Sequence, residues 1–302
     1  MNLTTLANAR QWLGSTTDTD NTLLTRLILA ASQQILQYVQ RSDFGLNTIT
    51  ETISGRGERK IQLSNWPVSA VNSMTINGVT IPASTGPTGY GYFLEPTYGT
   101  LIGRPQNVGI IGGGGPNSIG SNPITGGLTA MMPSYGSYSP RGPFPPGVGN
   151  ISINYTYGYS VVAEARTIPA TPYQITPLGT YGAFGGDNGV SFALGGALTA
   201  IASGTPSTGQ YVAPTLSGDS PVAFYQFAAA DTAKGVLLNY NYVPASVEQA
   251  CIEIVAERYR YKSRIGQSSS TLGGQETAAY DLSGITKAIK LMLDPYRLVS
   301  RV

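Results

Sequence analysis

The sequence predicts an α+β protein: a small helical-bundle core with short strands and a long loop, interrupted by an inserted β-sandwich-like domain. Three observations lead there. Apolar residues recur at helical spacing near both ends of the chain, whereas the middle alternates short β-prone runs with turn clusters. Two stretches nearly repeat each other, Ile153-Asn-Tyr-Thr-Tyr157 and Leu238-Asn-Tyr-Asn-Tyr242. If the segment between them is removed, Tyr155 to Val162 runs directly into Pro244 to Ala250, a strand delivering the chain to a Pro-opened helix. An insertion whose ends lie close together has this form. The expected organisation is a first core part over residues 1–162, an immunoglobulin-like β-module over 163–242, and a second core part over 243–302.

Taken in order, Thr4 or Thr5 caps a first helix over residues 4–13, ended by Gly14, and Asp18 and Asp20 read as caps for a second over 21–39. In the second, Leu24, Leu27, Ile28, Ala31, Ile35 and Val39 form one apolar stripe, on which Trp12 and Leu13 are expected to pack. From Leu46 the period changes to alternation. Short strands are expected around Ile49–Ile53, Ile61–Leu63 and Val71–Ile76, and Asn77-Gly78 is the strongest hairpin signal in the chain. Residues 82–149 are punctuated by Gly and Pro, including Gly112–Gly115, and read as one long irregular loop. A loop of that length points to function or to ordering by a neighbour.

The inserted module shows strand candidates at Tyr173–Ile175, Val190–Leu194, Leu198–Ile201, Tyr211–Ala213, Ala223–Phe227 and Val236–Tyr240. Then Pro244 opens a helix over 246–264 with Ser246 as its cap, and Gln267–Gln275 has the composition of a flexible linker. A short helix carrying Ile285, Ile289 and Met292 precedes Asp294-Pro295, leaving residues 296–302 as an exposed tail.

Composition removes whole classes of chemistry. The chain has no His and one Cys, so His-ligated and multi-Cys zinc sites, intrachain disulfides and His acid/base catalysis are absent. Cys251 lies in an apolar helical run and reads as packing. Gly112–Gly115 lacks the Lys and the following helix of a phosphate loop. Glu253 and Glu257 beside Arg258 and Arg260 read as a salt-bridged helix face, and Asp187 and Asp219 as turn residues. No catalytic constellation, cofactor site or metal site is expected, and the chain reads as a non-enzyme. Charged residues make up only 11%, beside 19 Tyr and 38 Gly, which suits extended strands and subunit contacts. From Arg258 onward eight basic residues face three acidic ones, so the rear of the chain is basic and the rest acidic, a polarity that favours head-to-tail docking. The first residues lack the charge and apolar pattern of a leader, and no run approaches a membrane span, so the expectation is a protein made in a cytoplasm.

Leu3 to Leu13, the helix start at Asp18–Arg26, Asn65-Trp-Pro-Val-Ser-Ala-Val71 and Val243 to Glu253 resemble the head-to-tail connector, or adaptor, proteins of tailed double-stranded DNA bacteriophages. Arg258 to Gly266, Leu272-Gly-Gly274 and Leu293 to Arg297 continue the resemblance. It covers roughly residues 1–81, 150–162 and 243–302, and the order of the segments is more specific than any one of them.

The resemblance implies a homo-oligomeric ring, twelve-fold, bound beneath the portal protein in the neck of the virion, extending the DNA channel and offering the attachment surface for the next tail component. Assembly would occur in the host cytoplasm. Tyr296, Arg297, Leu298, Val299, Arg301 and Val302 would fasten to the portal. Arg104 and Arg141 are the cations of the long loop, facing the channel or the tail, and are too few to grip DNA strongly. The long loop and the β-module depart from the compact family pattern. Another phage tail or baseplate structural protein is the alternative; a carbohydrate-binding or glycan-cleaving protein, which for cleavage would need two facing carboxylates, is the less favoured one.

Overall fold

The computed structural model describes residues 2–14, 18–85, 90–104, 143–214, 224–262, 269–272, 276–279 and 285–298. The chain is mixed α+β, with several sheets, and divides into two compact units: Met1–Thr48 with Ser64–Pro67 and Thr156–Val302, and Ile49–Leu63 with Val68–Tyr155. The boundary expected between 162 and 163 is therefore not a boundary between units.

Helix α1 (Leu6–Leu13) starts because Thr5 Oγ1 accepts the Asn8 N–H at 3.2 Å, and stops at Gly14, whose φ of 67° is the left-handed value that glycine tolerates. Leu6, Ala9 and Leu13 share its inner face, about a quarter turn from Trp12. Trp12 is consequently 51% exposed and does not join the stripe, contrary to expectation. Helix α2 (Asn21–Val39) buries Leu24, Ile28, Ala31, Ser32, Ile35 and Val39. Asp20 occupies its N-cap position without making the cap hydrogen bond; its carboxylate instead accepts from the Tyr259 hydroxyl at 2.6 Å and the Lys262 ammonium at 3.2 Å. Asp18, the other expected cap, accepts from Arg10 and from the Asn21 side chain.

The second unit is built from strands. β1 (Asn47–Gly55), β2 (Lys60–Gln62), β3 (Val68–Ile76), β4 (Val79–Thr80), β5 (Gly91–Glu95), β6 (Thr100–Arg104) and β7 (Gly147–Tyr157) form two sheets, ordered β1-β7-β3-β4 and β2-β6-β5. The hairpin at Asn77-Gly78 is present, with φ of 50° and 78°, the pair of left-handed values its turn requires. Met74, Leu101, Phe144, Ile151, Ile153 and Tyr155 are buried.

The stretch 82–149 is not one irregular loop. β5 and β6 pair in full register from Gly91↔Arg104 to Glu95↔Thr100, and β7 begins at Gly147. Five-residue strands inside Gly/Pro-rich sequence are too short for alternation to declare itself; the pairing of β6 with both β5 and β2 supplies the missing support. Residues 86–89 and 105–142 of the expected loop, including Arg141, lie outside the described residues.

In the first unit, β8 (Ser160–Thr167), β9 (Gln174–Ile175), β10 (Gly182–Phe192), β11 (Thr199–Ile201), β12 (Gln210–Val212), β13 (Tyr225–Phe227) and β14 (Gly235–Pro244) form sheets ordered β10-β14-β8 and β11-β12-β13-β9. Both sheets feed one apolar cluster that includes Ile175, Val190, Tyr211, Tyr225, Phe227, Leu238 and Tyr240. The pairing of β11 with β12 is parallel and the others antiparallel. β14 then runs without a gap into helix α3 (Ala245–Tyr261), with Pro244 rather than Ser246 at the N-cap. That continuity leaves no linker at which a β-module could part from the helices, and Val243 at the strand's end already belongs to the helical core.

Past α3, the expected flexible linker contains paired backbone. β15 (Ser269–Leu272) and β16 (Glu276–Ala279) form an antiparallel two-stranded sheet. Helix α4 (Lys287–Leu293) is capped by Thr286, and a single 3₁₀ turn, Asp294–Tyr296, follows. One buried core draws on all four helices: Leu3 and Ala9, Leu24 to Val39, Val247 to Val255, and Ile285, Ile289 and Leu293. Front and rear of the chain thus meet in one body.

Candidate functional site

The residues expected to reach a partner begin at Tyr296, and the structure gives the first of them a seat on their own chain. It is built where α2 ends. Gln40 takes a left-handed φ of 58°, turning the chain so that Arg41 and Phe44 follow back beneath the helix end. Arg41 is only 6% exposed. Its guanidinium carbon lies 4.8 Å from the Trp66 ring centre, 5.5 Å from Tyr159 and 5.8 Å from Phe44, a cation wrapped by three aromatic faces. Nε donates to the Tyr296 carbonyl at 2.8 Å, while Nη2 is buried with no protein partner. Burial pulls the Arg41 pKa down and pushes the Tyr159 hydroxyl up to about 12, the arginine opposing the latter.

The segment after α4 is tied down at four further points. Tyr38 donates to Asp294 at 2.6 Å, the Leu298 N–H donates to the Val39 carbonyl at 2.9 Å, the Arg297 guanidinium lies 5.5 Å over the Tyr38 ring, and the Tyr296 ring meets Tyr159 and Phe44 edge-on. Leu298 is buried. Residues 296–298 are therefore not an exposed tail. Tyr296 and Leu298 are spent on internal packing, Arg297 alone of the three is exposed, and Val299, Arg301 and Val302 lie outside the described residues. Arg104 closes β6, away in sequence from this seat.

Sequence reasoning missed Arg41. Its aromatic partners stand at 44, 66, 159 and, through the carbonyl, 296, and only the fold brings them together.

Asp219 lies outside the described residues; the described carboxylates of the β-region, Glu164, Asp187 and Asp231, are engaged internally. Asp187 accepts from the Tyr211 and Tyr225 hydroxyls at 2.6 and 2.9 Å, where burial first and the carboxylate second raise both phenol pKa values. Glu164 accepts from Arg166, from the Leu178 N–H and from the Tyr240 hydroxyl. Asp231 is fully buried; although burial would raise its pKa, the Lys234 ammonium at 2.7 Å and the Gly209 N–H hold it below the ordinary value. These acids orient tyrosines and turns. Glu248, on α3, accepts from Thr4 and Asn8, and burial raises its pKa against those two hydrogen bonds. Glu253 accepts from Gln249, and Arg258 donates to Gln34. Burial pushes the Cys251 thiol up to about 11, which suits an unreactive packing residue.

A cleft of about 320 Å³ lies between Asn2–Thr5 and Ala183–Gly185 beside Val243, and its lining carries no titratable side chain. Among the described residues no group of three His, Cys, Asp or Glu side chains could hold a metal ion, and no helix is long and apolar enough to cross a membrane. No protein family's sequence model matches the chain, and no curated protein matches it in sequence.

Proposed function

We propose that the chain is a structural virion protein, a head-to-tail adaptor that forms a twelve-fold ring beneath the portal, extends the DNA channel and carries the surface to which the next tail component attaches. The observation that carries the reading is the single core shared by α1, α2, α3 and α4, because the segments that resemble the adaptor family are the ones that build it. The engaged carboxylates support a mechanical rather than a chemical role: Asp187, Glu164 and Asp231 each hold two or more internal donors.

In this reading the portal contact narrows to Arg297 and the residues beyond Leu298, since Tyr296 and Leu298 are held by Arg41 and Val39. The Arg41 seat fixes where that contact starts. Packaged DNA passes without specific binding, and the β-region of the first unit, immunoglobulin-like in this proposal, stands outside the ring.

Native mass spectrometry of the purified chain, alone and mixed with portal rings encoded in the same genome, tests the proposal. A closed oligomer on the portal, stoichiometric with its subunits, is expected. A chain that ignores portal but sediments with tail fibres or baseplates overturns the adaptor role in favour of another tail component, and turnover of a surface glycan overturns the structural role altogether.

A further inference from the structure

We propose that β1 is an acceptor edge for strand addition, and that its occupant is the β15–β16 hairpin of a second copy of this chain. Edge strands present a row of unpaired backbone N–H and C=O groups, and proteins blunt them by shortness, charge, bulges or proline. The edges of the other large sheets follow that rule. β4 and β9 have two residues, β2 and β11 three. β10 carries two register shifts, and β8 is broken by a positive φ at Ala163 and carries Glu164 and Arg166. β5 is five residues long and ends in Glu95.

β1 alone is undefended. It runs nine residues, Asn47-Thr-Ile-Thr-Glu-Thr-Ile-Ser-Gly55, with no proline and no basic residue. Its one carboxylate, Glu51, is taken by the Tyr155 hydroxyl at 2.7 Å. Thr48 and Thr50 bond to Thr156 and Asn154 on β7, the only neighbouring strand among the described residues, and Thr48, Thr50, Thr52 and Ser54 are exposed.

The hairpin has the complementary deficit. Among the described residues β15 and β16 pair only with each other, over four residues, and an isolated two-stranded hairpin is marginal in water without a third strand. Of its two strands, Ser269-Ser-Thr-Leu272 is uncharged, whereas β16 begins with Glu276. β15 is therefore the donor, since it brings no second carboxylate beside Glu51. Pairing of β1 with a second β1 is disfavoured for the same reason: Thr48 to Ser54 is nearly symmetric about Glu51, so an in-register antiparallel pair would set Glu51 against Glu51. Donor and acceptor are different segments, which lets successive copies join head to tail, the contact type that closes into rings and the one the proposed function requires. The inference deepens the self-assembly part of the proposed function and rests on it.

Two single variants, Thr52→Cys and Ser270→Cys, mixed at assembling concentration and oxidised with copper phenanthroline, test it; Cys251 is buried in both. The expected product is the mixed disulfide dimer alone. Homodimers of Thr52→Cys, an intrachain disulfide in the double variant, or no cross-link would overturn it. In parallel, replacing residues 269–279 with an equal length of Gly and Ser is expected to leave the melting temperature unchanged and to weaken self-assembly about tenfold or more, as the loss of a few interchain hydrogen bonds requires. Rings that form on the portal despite that replacement, without the mixed dimer, refute strand exchange and leave the adaptor reading standing. The mixed dimer without portal capture does the reverse.

Discussion

Arg41→Met isolates the charge at the centre of the C-terminal seat while keeping most of the apolar stem. Three aromatic contacts, at 4.8, 5.5 and 5.8 Å, share one cation and are counted at roughly 0.5–1 kcal/mol each, the lower value, that of an exposed pair. The Nε bond to the Tyr296 carbonyl adds about 1.5–3 kcal/mol, because the donor is charged and the acceptor loses its partner on substitution. Against these stands the burial of Nη2 without a partner, which costs about 1–3 kcal/mol. Taken at mid-range, the balance is a loss of about 2–3 kcal/mol, or roughly 5–10 °C in melting temperature for a body of this size. Arg41→Lys should fall close to the methionine variant, since an ammonium neither stacks on three rings nor reproduces the Nε geometry. Thermal melting gives the magnitude, and hydrogen exchange at the Leu298 amide, bonded to the Val39 carbonyl, gives the location. A methionine variant at least as stable as the parent, with Leu298 still protected, would mean that desolvation outweighs the aromatic wrap and that the seat does not depend on its cation.

Further perturbations address other parts of the fold. Asp187→Ala strands the hydroxyls of Tyr211 and Tyr225, both nearly inaccessible, and should cost about 2–4 kcal/mol by denaturant unfolding; a neutral result would show that water replaces the carboxylate. Glu248 binds its proton more tightly in the folded chain than in the unfolded one. Its contribution is therefore fully present below the ordinary glutamate value and declines as pH rises through the elevated one. Glu248→Gln, which keeps an acceptor for Asn8 and Thr4, should raise the melting temperature at pH 7 and leave it unchanged at pH 4, and equal shifts at both values would contradict the sign. Trp12→Ala should change stability by less than about 0.5 kcal/mol, because the ring lies outside the core; a large loss in urea unfolding of the isolated chain would place it inside.

Much of the helical frame was legible because its signals are local. α2 spans the expected residues because its stripe of Leu24, Ile28, Ala31, Ile35 and Val39 holds one period over five turns, and the Asn77-Gly78 hairpin needs only its two left-handed residues. Strands flanked by turn clusters, such as β12 and β13, were legible for the same reason. What escaped the sequence depends on distant partners. β6 is stabilised by pairing with β2, about forty residues away, and β5 by pairing with β6, rather than by their own pattern. Asp20 stands where a cap belongs, yet Tyr259 and Lys262 take its carboxylate, a competition visible only once α3 lies beside α2. Trp12 misled because hydrophobicity alone does not set direction on an eight-residue helix. β14 runs without a gap into α3, the strand-to-helix passage expected at Pro244, although the composition changes there.

In the proposed function the shared helical core holds the chain's contact segment in place while copies gather as a ring on the portal. Electron cryo-microscopy of portal rings incubated with the purified chain tests it most directly. A collar of subunits coaxial with the portal channel is expected, with Arg297 and the residues beyond Leu298 at the contact. Bare portals beside dispersed single chains, at concentrations well above those of assembly, would contradict it.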